Sequence, residues 1–285
     1  MRTRNIKQII RAMAMSEGAG VTVHRTIGTP ALKNLDPFLM LDHFSSDDPD
    51  DYIAGFPDHP HRGFNTFTYM LDGHMLHQDS MGNRGDLHAG GAQWMKAASG
   101  VIHSEMPQQD NGLMRGFQLW INLPKTEKMS DPGYQEFQPG SFPIIETDQS
   151  IVKLIVGEYK GKKSPISDPN TYVQYLDVSI APDSEFSISM DNTREGFVYL
   201  FEGSAIIAES QLEQHNFAVL GDGDNVAVTA GPDGARLILV SGQPLNEPIV
   251  QYGPFVMNTE EEIQQAYNDY RQGNLVRGKA SFVTA

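Results

Sequence analysis

The chain has 285 residues and no cysteine. That absence excludes disulfides, thiolate catalysis, zinc knuckles and iron–sulfur ligation together, leaving histidine, carboxylates and weaker donors as metal ligands. Bases are in deficit: 21 lysines and arginines face 36 acids, for a formal net charge of −15. Such a surface repels phosphate backbones and anionic lipid heads, so direct nucleic-acid binding is not expected. Long hydrophobic runs are missing too. Nowhere do the ~18 uninterrupted apolar residues of a membrane span occur. The basic N-terminus, Met1 to Arg11, has no apolar run beyond Ile9-Ile10 and no signal-peptide cleavage pattern. The expectation is a cytoplasmic protein that does not engage a membrane. Three catalytic templates are also lacking: the Gly-x-Ser-x-Gly elbow, the Gly-x4-Gly-Lys-Ser/Thr phosphate loop and a strand-following dinucleotide fingerprint.

What the chain has in quantity is turn residues, 27 glycines and 17 prolines among them. With aspartate and asparagine they punctuate the sequence every eight to twelve residues or so, and runs rich in Val, Ile, Phe, Tyr and Thr lie between, which is the spacing of an all-β sandwich or barrel. Such runs cover 64–71, 113–123, 151–156, 172–180, 197–201 and 237–240. One helix is expected near the end, over about 259–272: Asn258 or Thr259 can cap Glu260-Glu261-Glu262, and Ile263, Ala266, Tyr267 and Tyr270 recur at helical spacing before Gly273. Four prolines between Pro124 and Pro143, without clean periodicity, read as a connector. The expected domains are therefore 1–135 and 136–285, the second carrying the tail helix. The halves echo one another, Gly63–Gly73 resembling 193–203 with Tyr69 over Tyr199 and Gly73 over Gly203, which suggests a duplicated β-domain.

Seven of nine histidines fall between His43 and His103. Two triplets stand out, His59-Pro60-His61 and His103-Ser104-Glu105. In a strand, residues i and i+2 face the same way, so each triplet offers two ligands on one side. Neighbouring strands would converge four donors. Three imidazoles and a carboxylate suit a divalent first-row transition metal, with coordination positions left open for substrate or oxygen. Continuing the alternation puts Gly63, Asn65, Phe67 and Tyr69 on the histidine face, with Asn65 beside the metal pocket. His74, His77 and His88 lie in a turn-rich stretch and read as solvated or hydrogen-bonding loop residues, and the isolated His24, His43 and His215 read likewise. Asp48 to Asp51 lacks the glycine and terminal glutamate of an EF-hand loop and reads as a solvated loop.

Several strings resemble the pirin family of the cupin superfamily: Asp36 to Phe44, His59-Pro-His-Arg-Gly-Phe64, Asp79-Ser-Met-Gly-Asn83, Gln93-Trp-Met95 and above all Gly100-Val-Ile-His-Ser-Glu-Met-Pro107. The likeness is dense in the N-terminal half and looser beyond, through Leu123 to Met129 and the tail helix. It implies a bicupin, two tandem antiparallel β-barrel or jelly-roll domains, with His59, His61, His103 and Glu105 as the metal ligands and iron as the usual metal. Fe(II) is the first expectation, and Mn, Ni, Co, Cu or Zn suit the same donors. The family commonly carries Glu where this chain has Asn65, a lost carboxylate that could alter metal choice or activity. The repeat puts Ser189 and Asp191 opposite His59 and His61, so the second domain is expected to be metal-free.

The resemblance implies two functions. The first is quercetin 2,3-dioxygenase chemistry: a flavonol enters the metal's open positions through its 3-hydroxyl and 4-carbonyl, Glu105 accepts the hydroxyl proton, and O2 attacks the ring, expelling carbon monoxide and leaving a depside ester. Phe67, Tyr69 and Trp94 are the pocket walls on this reading, or else, for Trp94, ordinary core. The second is a non-catalytic, iron-binding redox sensor acting through a protein partner, as for animal pirins.

Overall fold

Runs of β-branched and aromatic residues closed by glycine or proline form strands throughout. A computed structural model describes residues 2–277. In chain order the strands are β1 (Ile6–Arg11), β2 (Met13–Glu17), β3 (Val21–Arg25), β4 (Phe38–Ser46), β5 (Phe56–His61), β6 (Phe64–Asp72), β7 (His74–Asp79), β8 (Arg84–His88), β9 (Ala92–Lys96), β10 (Val101–Pro107), β11 (Met114–Asn122) and β12 (Gly133–Phe137). They continue with β13 (Ile144–Glu146), β14 (Ser150–Val156), β15 (Glu158–Tyr159), β16 (Lys162–Lys163), β17 (Gln174–Ile180), β18 (Glu185–Ser189), β19 (Glu195–Ile207), β20 (Ser210–Leu212), β21 (Asn216–Leu220), β22 (Asn225–Gly242), β23 (Val250–Tyr252) and β24 (Phe255–Met257). One α-helix follows, α1 (Glu260–Arg271). Among the described residues no helix is long and apolar enough to cross a membrane.

The strands form two units. The N-terminal unit holds residues 14–34, 38–140 and 245–277, and the C-terminal unit holds 2–13, 35–37 and 141–244. This division departs from the expected 1–135 and 136–285 at both ends of the chain. Near the N-terminus, β1 finds its ladder partner in β21 and so joins the C-terminal unit. At the other end, α1 buries Ile263 and Ala266 with Phe255, Met257 and Leu275 in the N-terminal unit. Thr259 is the helix cap, its hydroxyl accepting from the Glu262 N–H while the Glu262 carboxylate returns to the cap N–H, a reciprocal capping box. Asn258 instead donates to the Pro248 carbonyl at 2.9 Å.

The duplication is visible in the sheets. A seven-stranded sheet of the N-terminal unit runs β12-β9-β6-β11-β4-β3-β2, and the long path of the C-terminal sheet runs β1-β21-β19-β22-β17-β14-β13. Thus β6, carrying Tyr69, lies between β9 and β11 as β19, carrying Tyr199, lies between β21 and β22. The expected connector also contains a strand. Within Pro124–Pro143, β12 pairs with β9 at the sheet edge, where half-exposure removes the alternation that would have marked it. In the C-terminal unit hydrocarbon such as Val152, Leu154, Leu176, Val198, Leu200 and Leu237 forms the core. There Ser189 is exposed, and exposed Asp191 accepts from the Thr193 N–H and hydroxyl, both at 2.8 Å.

Candidate metal centre

A four-stranded sheet, β5-β10-β7-β8, carries the site in the N-terminal unit. The antiparallel register sets His103 opposite His59 and Val101 opposite His61. Pairing on the other side sets His103 opposite Asp79 and Glu105 opposite His77. Because side chains alternate, three triplets then share one face: His59-x-His61, His103-x-Glu105 and His77-x-Asp79. The rings of His59, His61 and His103 lie 4.3–5.0 Å apart by centroid. Their nitrogens form one group closed within 4.8 Å, and His77, His103 and Glu105 form a second that shares His103.

Each imidazole has one nitrogen already engaged. Nδ1 of His59 is 2.8 Å from the Pro57 carbonyl, Nδ1 of His61 is 3.4 Å from the Pro254 carbonyl, and Nδ1 of His103 is 3.4 Å from Nδ1 of His77. The opposite nitrogens, Nε2 of His61 and of His103, are buried without a hydrogen-bond partner. A buried polar atom left unpaired is costly, and a lone pair turned into a cluster of others is what a cation satisfies. The donor set therefore fits a divalent metal, with the engaged nitrogens orienting each ring. His61 and His103 are held well below the ordinary histidine range, first by burial and then by neighbouring imidazoles.

Glu105 sits between two sheets. Opposite it, on the seven-stranded sheet, Gln93, Thr68 and Gln118 stand in one cross-strand row. Oε1 of Glu105 accepts from the Gln93 amide and, at 3.2 Å, from the Thr68 hydroxyl, while Oε2 accepts from the Gln118 amide at 2.7 Å. Trp120 Nε1 in turn donates to Gln118 Oε1 at 3.3 Å. A narrow cleft beside Glu105 is lined by Val23, Phe44, Phe56, Met75, Thr68 and Gln118.

The strand faces after His61 differ from the expected ones. Thr68 bonds Glu105 and the Phe64 ring lies 5.1 Å from His61, so positions 64, 66 and 68 face the centre. Asn65, Phe67 and Tyr69 take the other face, where Phe67 packs against Trp94 with ring centroids 5.6 Å apart. The cause is Gly63, where the chain leaves one sheet for another at φ +93° and the alternation slips by one. Asn65 is accordingly not on the metal face, and its Oδ1 is a buried, unpaired atom elsewhere. The aromatic walls beside His61 are Phe64 and Trp120, with Trp120 at 5.0 Å from the His61 ring.

His77 is the main functional candidate that sequence reasoning passed over. It is a fully buried strand residue, not a loop residue, and the same i, i+2 rule applied to His77-Gln78-Asp79 would have found it. Tyr134, from the connector strand β12, stacks on the His77 ring at 4.4 Å and donates to Gln93 Oε1 at 3.0 Å. Burial, then the adjacent Glu136, raises the Tyr134 hydroxyl above its usual range. Burial pushes the Asp79 carboxyl up, but hydrogen bonds from His77 and Asn83 outweigh it and hold the group below the usual carboxylate range. His74 and His88 also lie on strands, stacked at 4.0 Å across the β7–β8 pair beside Asp86 and partly open to solvent.

Comparison with known proteins finds relatives along most of the chain. The Pirin family model matches residues 20–121, and that of the Pirin C-terminal cupin domain matches 175–276. A pirin-like protein of Caulobacter vibrioides is 44% identical over 277 residues, covering 96% of this chain and 100% of that protein. The chain belongs to the pirin family. As in other pirins, its architecture is two cupin domains in tandem. Pirin of Homo sapiens is 42% identical, over 94% of this chain and 93% of its own length. Among solved structures, a quercetin 2,3-dioxygenase from Acinetobacter baumannii has a TM-score of 0.89 and 30% identity, over 98% of this pirin and 100% of that chain.

Proposed function

We propose that this pirin is a metal-dependent dioxygenase that cleaves flavonols such as quercetin with O2. His59, His61, His103 and Glu105 hold one divalent metal, Fe(II) in the first instance. The observation that carries the reading is the trio of imidazoles whose Nδ1 atoms are engaged and of which two have buried, unpaired Nε2 atoms. Likeness along the whole chain to a quercetin 2,3-dioxygenase supports the choice of substrate.

Bound there, a divalent metal supplies Lewis acidity toward the flavonol 3-hydroxyl and 4-carbonyl. The remaining work belongs to the side chains. Glu105 accepts the hydroxyl proton on its carboxylate, and the Gln93, Thr68 and Gln118 donors fix where its oxygens sit. Phe64 and Trp120 keep water from the His61 side of the centre.

The test loads the purified full chain in turn with Fe(II), Mn(II), Ni(II), Co(II) and Cu(II) and follows flavonol absorbance with quercetin in air. Absorbance is expected to fall with at least one metal and to persist in His103→Ala. Persistence with every metal contradicts the proposal.

A further inference from the structure

The hydrogen-bond partners that fix His103 form a chain reaching away from the centre, and its proton positions follow from what each group can do. Asp79 Oδ1 accepts from the backbone N–H groups of Met81 at 2.9 Å and Asn83 at 3.0 Å, and Oδ2 accepts from Asn83 Nδ2 at 2.8 Å. The carboxylate is thus anchored as an acceptor, and Oδ2 lies 3.3 Å from Nε2 of His77. A carboxylate accepts, so His77 carries its proton on Nε2. In the neutral ring Nδ1 is then a bare acceptor, and it faces Nδ1 of His103 at 3.4 Å. That contact is a hydrogen bond only if His103 carries its proton on Nδ1. The His103 lone pair is then left on Nε2, the atom buried without a partner. Tyr134 stacked on the face of His77 holds the ring plane in which this handover works.

We propose that His77 and Asp79 are positioning residues that lock His103 into its Nδ1–H tautomer and aim Nε2 at the metal. The proposal rests on the metal-centre reading above. Neither residue is among the four proposed ligands, and the chain reaches the centre through His103. Side chains of both are fully buried, so a purely packing role is the competing explanation, and the two make opposite forecasts.

The experiment is Co(II) titration of the full chain, followed by the visible d–d spectrum, with thermal unfolding of each apo-protein as a folding check. His77→Phe keeps a ring against Tyr134 but has no acceptor, whereas His77→Asn gives up the ring but puts Oδ1 near the old Nδ1. Asp79→Asn keeps the shape but offers His77 an amide donor, which reverses both tautomers and protonates the His103 lone pair. The expected result is a Co(II) affinity about 10- to 100-fold weaker in His77→Phe and in Asp79→Asn, with His77→Asn within about fivefold of wild type. Wild-type affinity and spectrum in His77→Phe, with loss in His77→Asn, would show that His77 only fills space and overturn the proposal. Should His77→Phe not fold, a wild-type response from Asp79→Asn overturns it on its own. Absence of any Co(II) uptake by the wild-type chain instead removes the metal-centre reading, and this one with it.

Discussion

Burial does more than hide His61 and His103. It keeps both imidazoles neutral near pH 7, so a metal arriving there displaces no proton from either ring. Lys128 is the cationic counterpart, 1% exposed, with Nζ donating to the Gly63 carbonyl at 2.7 Å, Asn122 Oδ1 at 2.6 Å and the Val256 carbonyl at 3.1 Å. Burial lowers it from 10.5 to about 8, against the pull of Glu247 and Glu262. Between those two values the unfolded chain holds a proton that the folded chain does not, so this residue makes stability rise with pH across that window. The gain is up to about 1.4 kcal/mol per pH unit. Urea unfolding of wild type and Lys128→Met between pH 8 and 10 should give a more positive pH slope for the wild type; parallel curves contradict this.

A single glycine decides how β5 hands over to β6. At Gly63, φ is +93° and an added Cβ would lie 1.9 Å from the Val256 carbonyl oxygen. Gly63→Ala should therefore cost more than about 2 kcal/mol, since both the backbone and β24 must give way. Chemical denaturation measures it, and a loss under about 0.5 kcal/mol would show that this close approach is not tight. The same residue explains what could be read beforehand. Alternation inside one strand located His59 with His61 and His103 with Glu105, because a period of two is local. It failed across Gly63, where no pattern marks a change of sheet, and so Asn65, Phe67 and Tyr69 were assigned the wrong face. The triplet His77-Gln78-Asp79 was legible by the rule that found the other two, but its flanking glycines suggested a loop. Nothing marked Tyr134, and Gln93 stood only in a string of family likeness with no role attached, because the roles of both depend on neighbours far along the chain.

At the scale of the molecule, turn spacing was enough to give an all-β chain, and one ten-residue echo pointed to two related sheets. Which unit each end of the chain joins was not legible. The strand from Ile6 to Arg11 and the helix from Glu260 to Arg271 take their places through long-range partners: β21 for the first, and for the second Arg62, whose Nη1 donates to Asp269 Oδ2 at 2.7 Å. The pattern within either segment carries no trace of those partners. The N-terminal unit depends on its distant tail for the orientation of one imidazole of the candidate centre as well, since Nδ1 of His61 contacts the Pro254 carbonyl. The proposed function comes down to one ion in one unit. X-ray absorption at the metal edge of the Co(II)-loaded full chain, with metal content measured on the same sample, tests that claim most directly. One ion per chain with the multiple scattering of three imidazoles is the predicted result. No uptake, or a single ion without imidazole scattering, would contradict it.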